Sequence, residues 1–502
     1  MKKKEQIKTG AIITYISNAC NIIISIVLTP IILSLIGKQE YGLYSLVYSI
    51  MGYFSVLDFG FGNAMIRYVS KYKAEGKEDK NINSLFLIIY CIIGIITLIV
   101  GTIIYFNLGK IFGNSLTEVE LQKANIMMII FLIGTAISFP LSIFDSYVMA
   151  NERFIYLKVI NLARILLYPI MIIPLMLLGY KAVSLVVVYT VLNLMMHIFY
   201  AVYALTRLKM KITFNVKKVN FSIFREVIIY SFFVFLNIIV DTVFNNTDQV
   251  ILGIVSGTVA VSIYAVANQI KNANNAFSTA ISSMFLPKIT KLLTLNKKDE
   301  INKTFINVSK IQLYIMLLVL SGFYIFGKAF ISLWVGNDYM DAYYIVLWLI
   351  GFGIIPLTQN LGISVLQAMN KHKFRSVVYI VIAVFNVLIS IPLSRAYAGV
   401  GAAIGSAIAM LLGQIIVMNI YYYKVAELDI PTYWKNFIKI SLPVIIFGIL
   451  LSRTVHQMQF TWLKLLISIG IYVIIYIAYL VIFHLDSNEK AYLKAKLLRR
   501  DI

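Results

Sequence analysis

Long apolar runs alternate along the chain with short clusters of charge, and runs of about twenty apolar residues are the length of a membrane-crossing helix. This pattern predicts helices at about 11–36, 41–69, 82–106, 125–150, 155–178, 181–206, 222–255, 259–290, 305–331, 341–368, 374–394, 399–423, 436–452 and 462–483. Fourteen crossings put both termini on one side. The N-terminal tail, 67–80, 151–158, 207–225, 288–303, 369–375, 424–439 and the C-terminal tail hold 33 of the 44 Lys and Arg residues. The opposite helix ends hold eight: Lys38, Lys110, Lys123, Lys181, Lys328, Arg395, Arg453 and Lys464. Basic residues collect on the cytoplasmic side, so both termini are expected there.

A second order lies above the helices. Shifting the chain by 220 positions sets Ile31–Ile50 over Ile251–Ile270, with Gly37 over Gly257 and Tyr44 over Tyr264. The basic connector after Ser70 then falls over the one after Thr290. An even number of helices per half makes the halves parallel repeats about an axis along the membrane normal. The expected organisation is a six-helix lobe over 1–206, a basic cytoplasmic bridge over 207–221, a second six-helix lobe over 222–425, and two extra helices with a basic tail over 426–502.

Composition agrees with an all-α polytopic membrane protein. Of 502 residues, 60% are hydrophobic and 13% charged, against about 25% charged in soluble domains. The formal charge of +22 would suggest nucleic acid in a soluble chain. Here the basic residues flank apolar runs and suit an anionic lipid surface instead. Cys20 and Cys91 lie inside apolar runs and suggest neither a disulfide nor a thiolate metal site. The basic start Met1-Lys2-Lys3-Lys4 leads into an apolar run with no cleavage pattern, and reads as a retained first helix. Trp334, Trp348, Trp434 and Trp462 fall near predicted helix ends, where an interfacial belt accounts for them.

Ionisable groups at membrane depth are costly and face a protein interior or a wet cavity. Asp58 sits mid-helix in Leu57-Asp58-Phe59-Gly60-Phe61-Gly62-Asn63, where two glycines weaken the helix. Asp241 and Asp248 are seven residues apart on one helical face, with Asn237, Asn245 and Gln249 beside them. Such carboxylates suit proton or cation coupling; the alternatives are that Asp58 is a buried hydrogen-bond acceptor fixing its helix, and that the helix end carrying Asp241 and Asp248 is extracellular connector. Lys271, among Asn268, Gln269, Asn272, Asn274 and Asn275, and Arg164, beside Asn161, are the basic residues expected at real depth. They could face an anionic cargo or pair with an Asp. Gln359 and Asn360 follow Gly351, Gly353 and Pro356 in another interrupted segment that could line the second lobe. No HExxH, GxxxxGK[ST], GxSxG or CxxC is present, and His197, His372, His456 and His484 are dispersed. No enzyme, resident cofactor or nucleotide motor is expected, so uphill transport would draw on an H+ or Na+ gradient or the membrane potential.

Several segments carry a family likeness: Tyr41-Gly42-Leu43-Tyr44, Leu57 to Gly62 through Arg67-Tyr68, Asn151-Glu152-Arg153-Phe154, Asp248-Gln249 through Tyr264, Leu366-Gln367-Ala368-Met369-Asn370-Lys371, and Val400-Gly401-Ala402-Ala403-Ile404-Gly405. In order and spacing the chain resembles the polysaccharide-exporter, or O-antigen flippase, family of the multidrug/oligosaccharidyl-lipid/polysaccharide flippase superfamily. The resemblance implies a bacterial inner-membrane flippase moving undecaprenyl-diphosphate-linked oligosaccharide units to the outer leaflet for O-antigen, capsule or a related polymer. It implies two lobes about a cavity that opens alternately to each side. By the same resemblance Lys271, Arg164, Arg67 and Arg153 would meet the cargo, and Asp58, Asp241 and Asp248 would couple or gate. Polysaccharide polymerases and glycosyltransferases are the implied partners, with membrane lipids; nucleic acid is not. Relatives that flip the peptidoglycan precursor show several arginines early in helices 1 and 2, where this chain has Asn18 and Asn21. The competing readings are an ion-coupled multidrug antiporter of the same superfamily and a polysaccharide polymerase. The latter wants a large external loop, and the longest expected here is about 107–124.

Overall fold

A computed structural model describes residues 3–76, 80–212, 221–369 and 371–484. Parts of the expected basic bridge and the basic tail, at 213–220 and beyond 484, lie outside the described residues, as do 77–79 and Asn370. Everything described is helix or short connection: α1 Lys3–Gly52, a 3-10 turn Tyr53–Asp58, α2 Phe61–Ala74, α3 Lys80–Phe112, α4 Glu118–Ala150, α5 Phe154–Leu175, a π turn Met176–Tyr180, and α6 Lys181–Thr206. There follow α7 Phe221–Val255, α8 Gly257–Thr294, α9 Lys298–Trp334, α10 Asp341–Thr358, α11 Asn360–Ala368, α12 His372–Met410, a π turn Leu411–Val417, α13 Met418–Lys424, α14 Ile430–Val455 and α15 Trp462–Phe483. In hydrocarbon every backbone N–H and C=O must be satisfied within the segment, which is why apolar runs of this length can only be helices.

Ten stretches among the described residues are long and apolar enough to cross a membrane, so the protein is a multi-pass membrane protein. Three of them run 63, 53 and 52 residues, too long for one crossing. Each is broken inside. The first breaks at Gly37 (φ 78°), the second at Gly179 (φ 92°) and Lys181 (φ 42°), the third at Tyr397 and Ala398 (φ 46°). Two breaks have near-copies elsewhere. Gly257, which starts α8, has φ 79°, within a degree of Gly37, 220 residues earlier. Lys181 (φ 42°, ψ −131°) and Ala398 (φ 46°, ψ −128°) share a conformation as well. Positive φ excludes most side chains, so glycine at 37 and 257 is what the turn requires.

The helices extend past the apolar runs. The connection expected over 107–124 shrinks to residues 113–117, because α3 continues to Phe112 and α4 starts at Glu118. Thr117 and Glu120 form a reciprocal capping box that starts α4 early. Apolar runs mark the hydrocarbon edge; capping chemistry marks the helix end.

The chain divides into two compact units, Met1–Val266 with Val387–Ala402, and Ala267–Asn386 with Ala403–Ile502. In the first, Phe86 and Tyr90 of α3, Ile143 and Val148 of α4, and Met65 and Val69 of α2 form a fully buried core. Gly134 lets α4 and α6 meet closely, since a Cβ there would lie 2.2 Å from Thr190 Cγ2. In the second, α9, α14 and α15 bury Met316, Leu317, Ile325, Ile440 and Leu465 together. Tyr472 donates to Ser321 Oγ at 2.6 Å and Tyr476 to the Tyr314 carbonyl at 2.8 Å, fixing α15 on α9. Trp334 is buried at 4% exposure and stacks on Phe330, a core position where a belt was expected. Cys91 is exposed on α3.

Candidate functional site

The break between α1 and α2 builds the site. The turn Tyr53–Asp58 ends in two left-handed residues, Phe59 (φ 49°) and Gly60 (φ 77°), before α2 resumes. At Gly60 a Cβ would fall 2.6 Å from the Val234 Cβ, so the break also lets α7 approach. Asp58 occupies the interruption. Its Oδ1 accepts from the Tyr90 hydroxyl at 2.6 Å, and the Gly60 and Gly62 amides donate to the same carboxylate. A helix broken here leaves amide donors that an intact helix would have consumed.

Beside it lies a cavity of about 650 Å³ inside the first unit. Its walls come from α1, the 3-10 turn, α4, α6 and α7, and it brings Asp58 and Asp241 into one space. Tyr48, Phe131 and Tyr189 line it as an edge-to-face aromatic group, with centroids 5.6 to 6.2 Å apart. Thr135, Ser138 and Ser142 add hydroxyls along α4. Aromatic faces with hydroxyls and carboxylates suit a ligand that is ring-shaped and polar, or cationic. A second cavity, of about 680 Å³, flanks the Gly37 break and holds Lys38, Lys123, Lys181, Glu40 and Glu120. There Lys123 pairs with Glu40, and Glu120 accepts from Thr258 at 2.7 Å.

The remaining expected site residues separate. Asp248 is 5% exposed and accepts from the Tyr264 hydroxyl, while Thr247 and Gln249 bond Tyr53 and Ser49. That end of α7 is thus tied to α1, the 3-10 turn and α8, two turns beyond the cavity residue Asp241. Arg164 is held by Asn161 and Asn193, both at 3.1 Å, and its Nε is buried without a hydrogen-bond partner. Arg67 is exposed and lies 4.7 Å over the Tyr230 ring, and Arg153 is exposed at the start of α5.

In the second unit Lys271 is 9% exposed on α8, near Asn274, both of whose amide atoms are buried without a hydrogen bond. Gln359 and Asn360 occur at the α10–α11 break, as the glycines and Pro356 suggested. Gln359 is 1% exposed and exchanges two hydrogen bonds with Asn419, at 2.9 and 3.1 Å. Trp434 donates to the same Asn419, so it joins this packing in addition to any belt. Asn360 donates to Ser278 Oγ at 2.8 Å. These amides are engaged in joining helices.

Sequence reasoning missed one group. His197 lines the first-unit cavity, with Nδ1 2.9 Å from Asp145 Oδ2 and 3.1 Å from Oδ1. Judging histidines by their dispersion hid this, whereas two ionisable residues inside consecutive even-numbered apolar runs were a usable signal. Among the described residues no three His, Cys, Asp or Glu side chains gather to hold a metal.

Comparison with known proteins decides the family. Residues 7–293, more than half of the chain, match the family described as polysaccharide biosynthesis protein. The chain belongs to that family. It is 21% identical over 206 residues to the probable low-salt glycan biosynthesis flippase Agl15 of Haloferax volcanii, covering 41% of this chain and 44% of that one. It is 28% identical over 176 residues to the putative O-antigen transporter of Escherichia coli K12, covering 34% and 42%. The matches thus span less than half the length of these two relatives. Among solved structures, the lipid II flippase MurJ in an inward closed conformation superposes with a TM-score of 0.72 at 17% identity, over 95% of this chain and 98% of that one. An inward-facing multidrug resistance MATE family transporter of the MOP superfamily follows the fold at 0.63 and 13% identity, over 84% and 99%. The fold of this family member is the one shared by these flippase and multidrug-transporter structures.

Proposed function

We propose that the protein is a flippase carrying polyprenyl-diphosphate-linked oligosaccharide units from the cytoplasmic to the outer leaflet of a bacterial inner membrane, for O-antigen, capsule or a related polymer. The observation that carries this reading is the first-unit cavity, where the Tyr48, Phe131 and Tyr189 rings meet hydroxyls at membrane depth. Sugar rings stack on such faces and bond such hydroxyls. Family membership supports a role in glycan assembly. Arg164, Lys271, Arg67 and Arg153 are the proposed contacts to the diphosphate sugar, Gln359 and Asn360 accessory ones, and Asp58, Asp241 and Asp248 the coupling or gating groups. An H+ or Na+ gradient or the membrane potential supplies the drive. Polymerases and glycosyltransferases are the proposed neighbours in the pathway.

The architecture that goes with this function is fourteen crossings, with both termini cytoplasmic and two six-helix lobes over 1–206 and 222–425. Dividing the three broken stretches and adding α8 to the ten apolar ones gives that number. The repeated breaks at Gly37 and Gly257, and at Lys181 and Ala398, support the two-fold repeat.

One observation favours a second reading. The cavity's charged lining consists of Asp58 and Asp241, with no Lys or Arg among the lining residues, as an ion-coupled antiporter of organic cations would want. Proteoliposomes holding a defined lipid-diphosphate oligosaccharide separate the two, with wild type compared with Lys271→Ala and Arg164→Ala, with and without a pH gradient or potential. Translocation that folded single variants abolish supports the flippase. A glycan panel that never moves, while small organic cations exchange for protons, replaces it with the antiporter.

A further inference from the structure

The pair His197 and Asp145 joins α4 to α6 a few turns from the close Gly134–Thr190 contact. The side chains are 14% and 28% exposed, so the pair is sheltered yet reachable from the cavity that the His197 ring lines. An ionised carboxylate only accepts, so Nδ1 carries a hydrogen and donates to Asp145, which leaves the lone pair on Nε2. Imidazole is the side chain whose charge ordinarily changes near neutral pH.

We propose that His197 is the proton-carrying group of this transporter, exchanging a proton with cavity water at Nε2, and that Asp145 is its positioning residue. A hydronium ion in the cavity gives up its proton and leaves as water, an N–H bond forms at Nε2, and the pair passes from a net charge of −1 to neutral. The neutral-ring hydrogen bond becomes an imidazolium–carboxylate ion pair. Attraction between α4 and α6 then rises at the wall of the space the cargo occupies. The neighbouring groups set the field. Tyr90 of α3 and Tyr200 of α6 lie within electrostatic reach of Asp145, and Arg164 of α5 reaches Tyr200 and Tyr48 of α1. Asp58 and Asp241 share the cavity, and Lys73 of α2 lies 5.1 Å over the Tyr147 ring, two residues from Asp145.

The inference deepens the transport reading and rests on it for its purpose, but its titration can be read separately. Full-length protein is reconstituted with a lipid-diphosphate oligosaccharide and an internal pH dye, as wild type, His197→Gln, Asp145→Asn and Asp145→Glu. Wild type is expected to change rate with pH, and to move protons when cargo runs down its gradient. His197→Gln should flatten the pH profile and abolish the proton flux, Asp145→Asn should move the profile to lower pH, and Asp145→Glu should restore it. A His197→Gln protein that keeps the wild-type profile and proton flux overturns the proposal. If wild type moves no glycan at all, the transport reading fails, and ¹⁵N NMR of a protein with His197 as its single histidine decides the proton site. A ring that holds the Nδ1–H tautomer and gains its second proton at Nε2, and that gains it less readily in Asp145→Asn, upholds the site. A ring that does not titrate, or that ignores Asp145, overturns it.

Discussion

In the first compact unit, Asp58, Asp241, His197 and the hydroxyls of Thr135, Ser138 and Ser142 border a space of about 650 Å³. In the second, Gln312 donates to the Ser278 carbonyl, Ser278 Oγ and Ser282 Oγ at 3.1, 3.2 and 2.7 Å, while Asn360 bonds Ser278 and Gln359 bonds Asn419. Both sets are polar side chains in apolar helices, where buried polar atoms need partners; in the second the amide nitrogens of Gln312, Gln359 and Asn360 find theirs within the set, while Gln312 Oε1 is buried without one. One set keeps capacity for a ligand or water; the other closes upon itself. Polarity at membrane depth therefore marks either a binding surface or a helix fastening, and only the partner tells which.

Substitutions can break or sharpen that contrast. The largest expected loss of stability is in the closed network. Gln312→Ala removes the donor to Ser282 Oγ and one of the two donors to Ser278 Oγ and should cost about 2–3 kcal/mol, read as a fall in Tm in detergent. Gln359→Ala and Asn419→Ala should each cost about 1–2 kcal/mol, and the double variant should cost clearly less than their sum, because one reciprocal pair is lost in each case. Equal additive losses would show that the two amides act separately. Asp58→Asn keeps an acceptor for Tyr90 and should cost about 1 kcal/mol, yet translocation in proteoliposomes should fall about tenfold or more. Thr135→Ala on the cavity wall should stay within about 0.5 kcal/mol, and a larger drop in Tm would mean that the cavity wall is as tightly fastened as the network.

The smallest effect belongs to an exposed ion pair. Lys298 donates to Glu427 at 2.6 Å and holds its carboxyl below the usual range. A carboxyl depressed in the folded state adds stability above its unfolded value and loses it as pH falls through the folded one. Glu427→Gln should therefore lower Tm slightly at neutral pH, and the difference should vanish in acid and in high salt.

Much of the architecture is legible in the chain because lipid permits so few alternatives. Breaks expected between 36 and 41, 178 and 181, and 394 and 399 occur at Gly37, at Gly179 with Lys181, and at Tyr397 with Ala398. Asp58 was visible because a carboxylate and two glycines contradict their surroundings. Helix ends were less legible, as the 113–117 connection shows, since a capping box depends on two side chains and not on hydropathy. The His197–Asp145 pair was hidden because its members are 52 residues apart, and only the packing of α4 on α6 makes them one group. Gln359 drew attention for its polarity, but its partner Asn419 is 60 residues away and no local pattern announces it.

α8 differs from its neighbours in a way that bears on how the protein is made. Over its 38 residues it carries Asn268, Gln269, Lys271, Asn272, Asn274 and Asn275, and it is missing from the stretches apolar enough to cross alone, although longer than most of them. A nascent segment of this kind gains too little from lipid to leave the translocon unaided. The tight turn at Ser256 and Gly257 joins it to the apolar α7. In the fourteen-crossing arrangement proposed above the two would have to enter as a hairpin, so that mutations weakening α7 would appear first as a failure of α8 to insert.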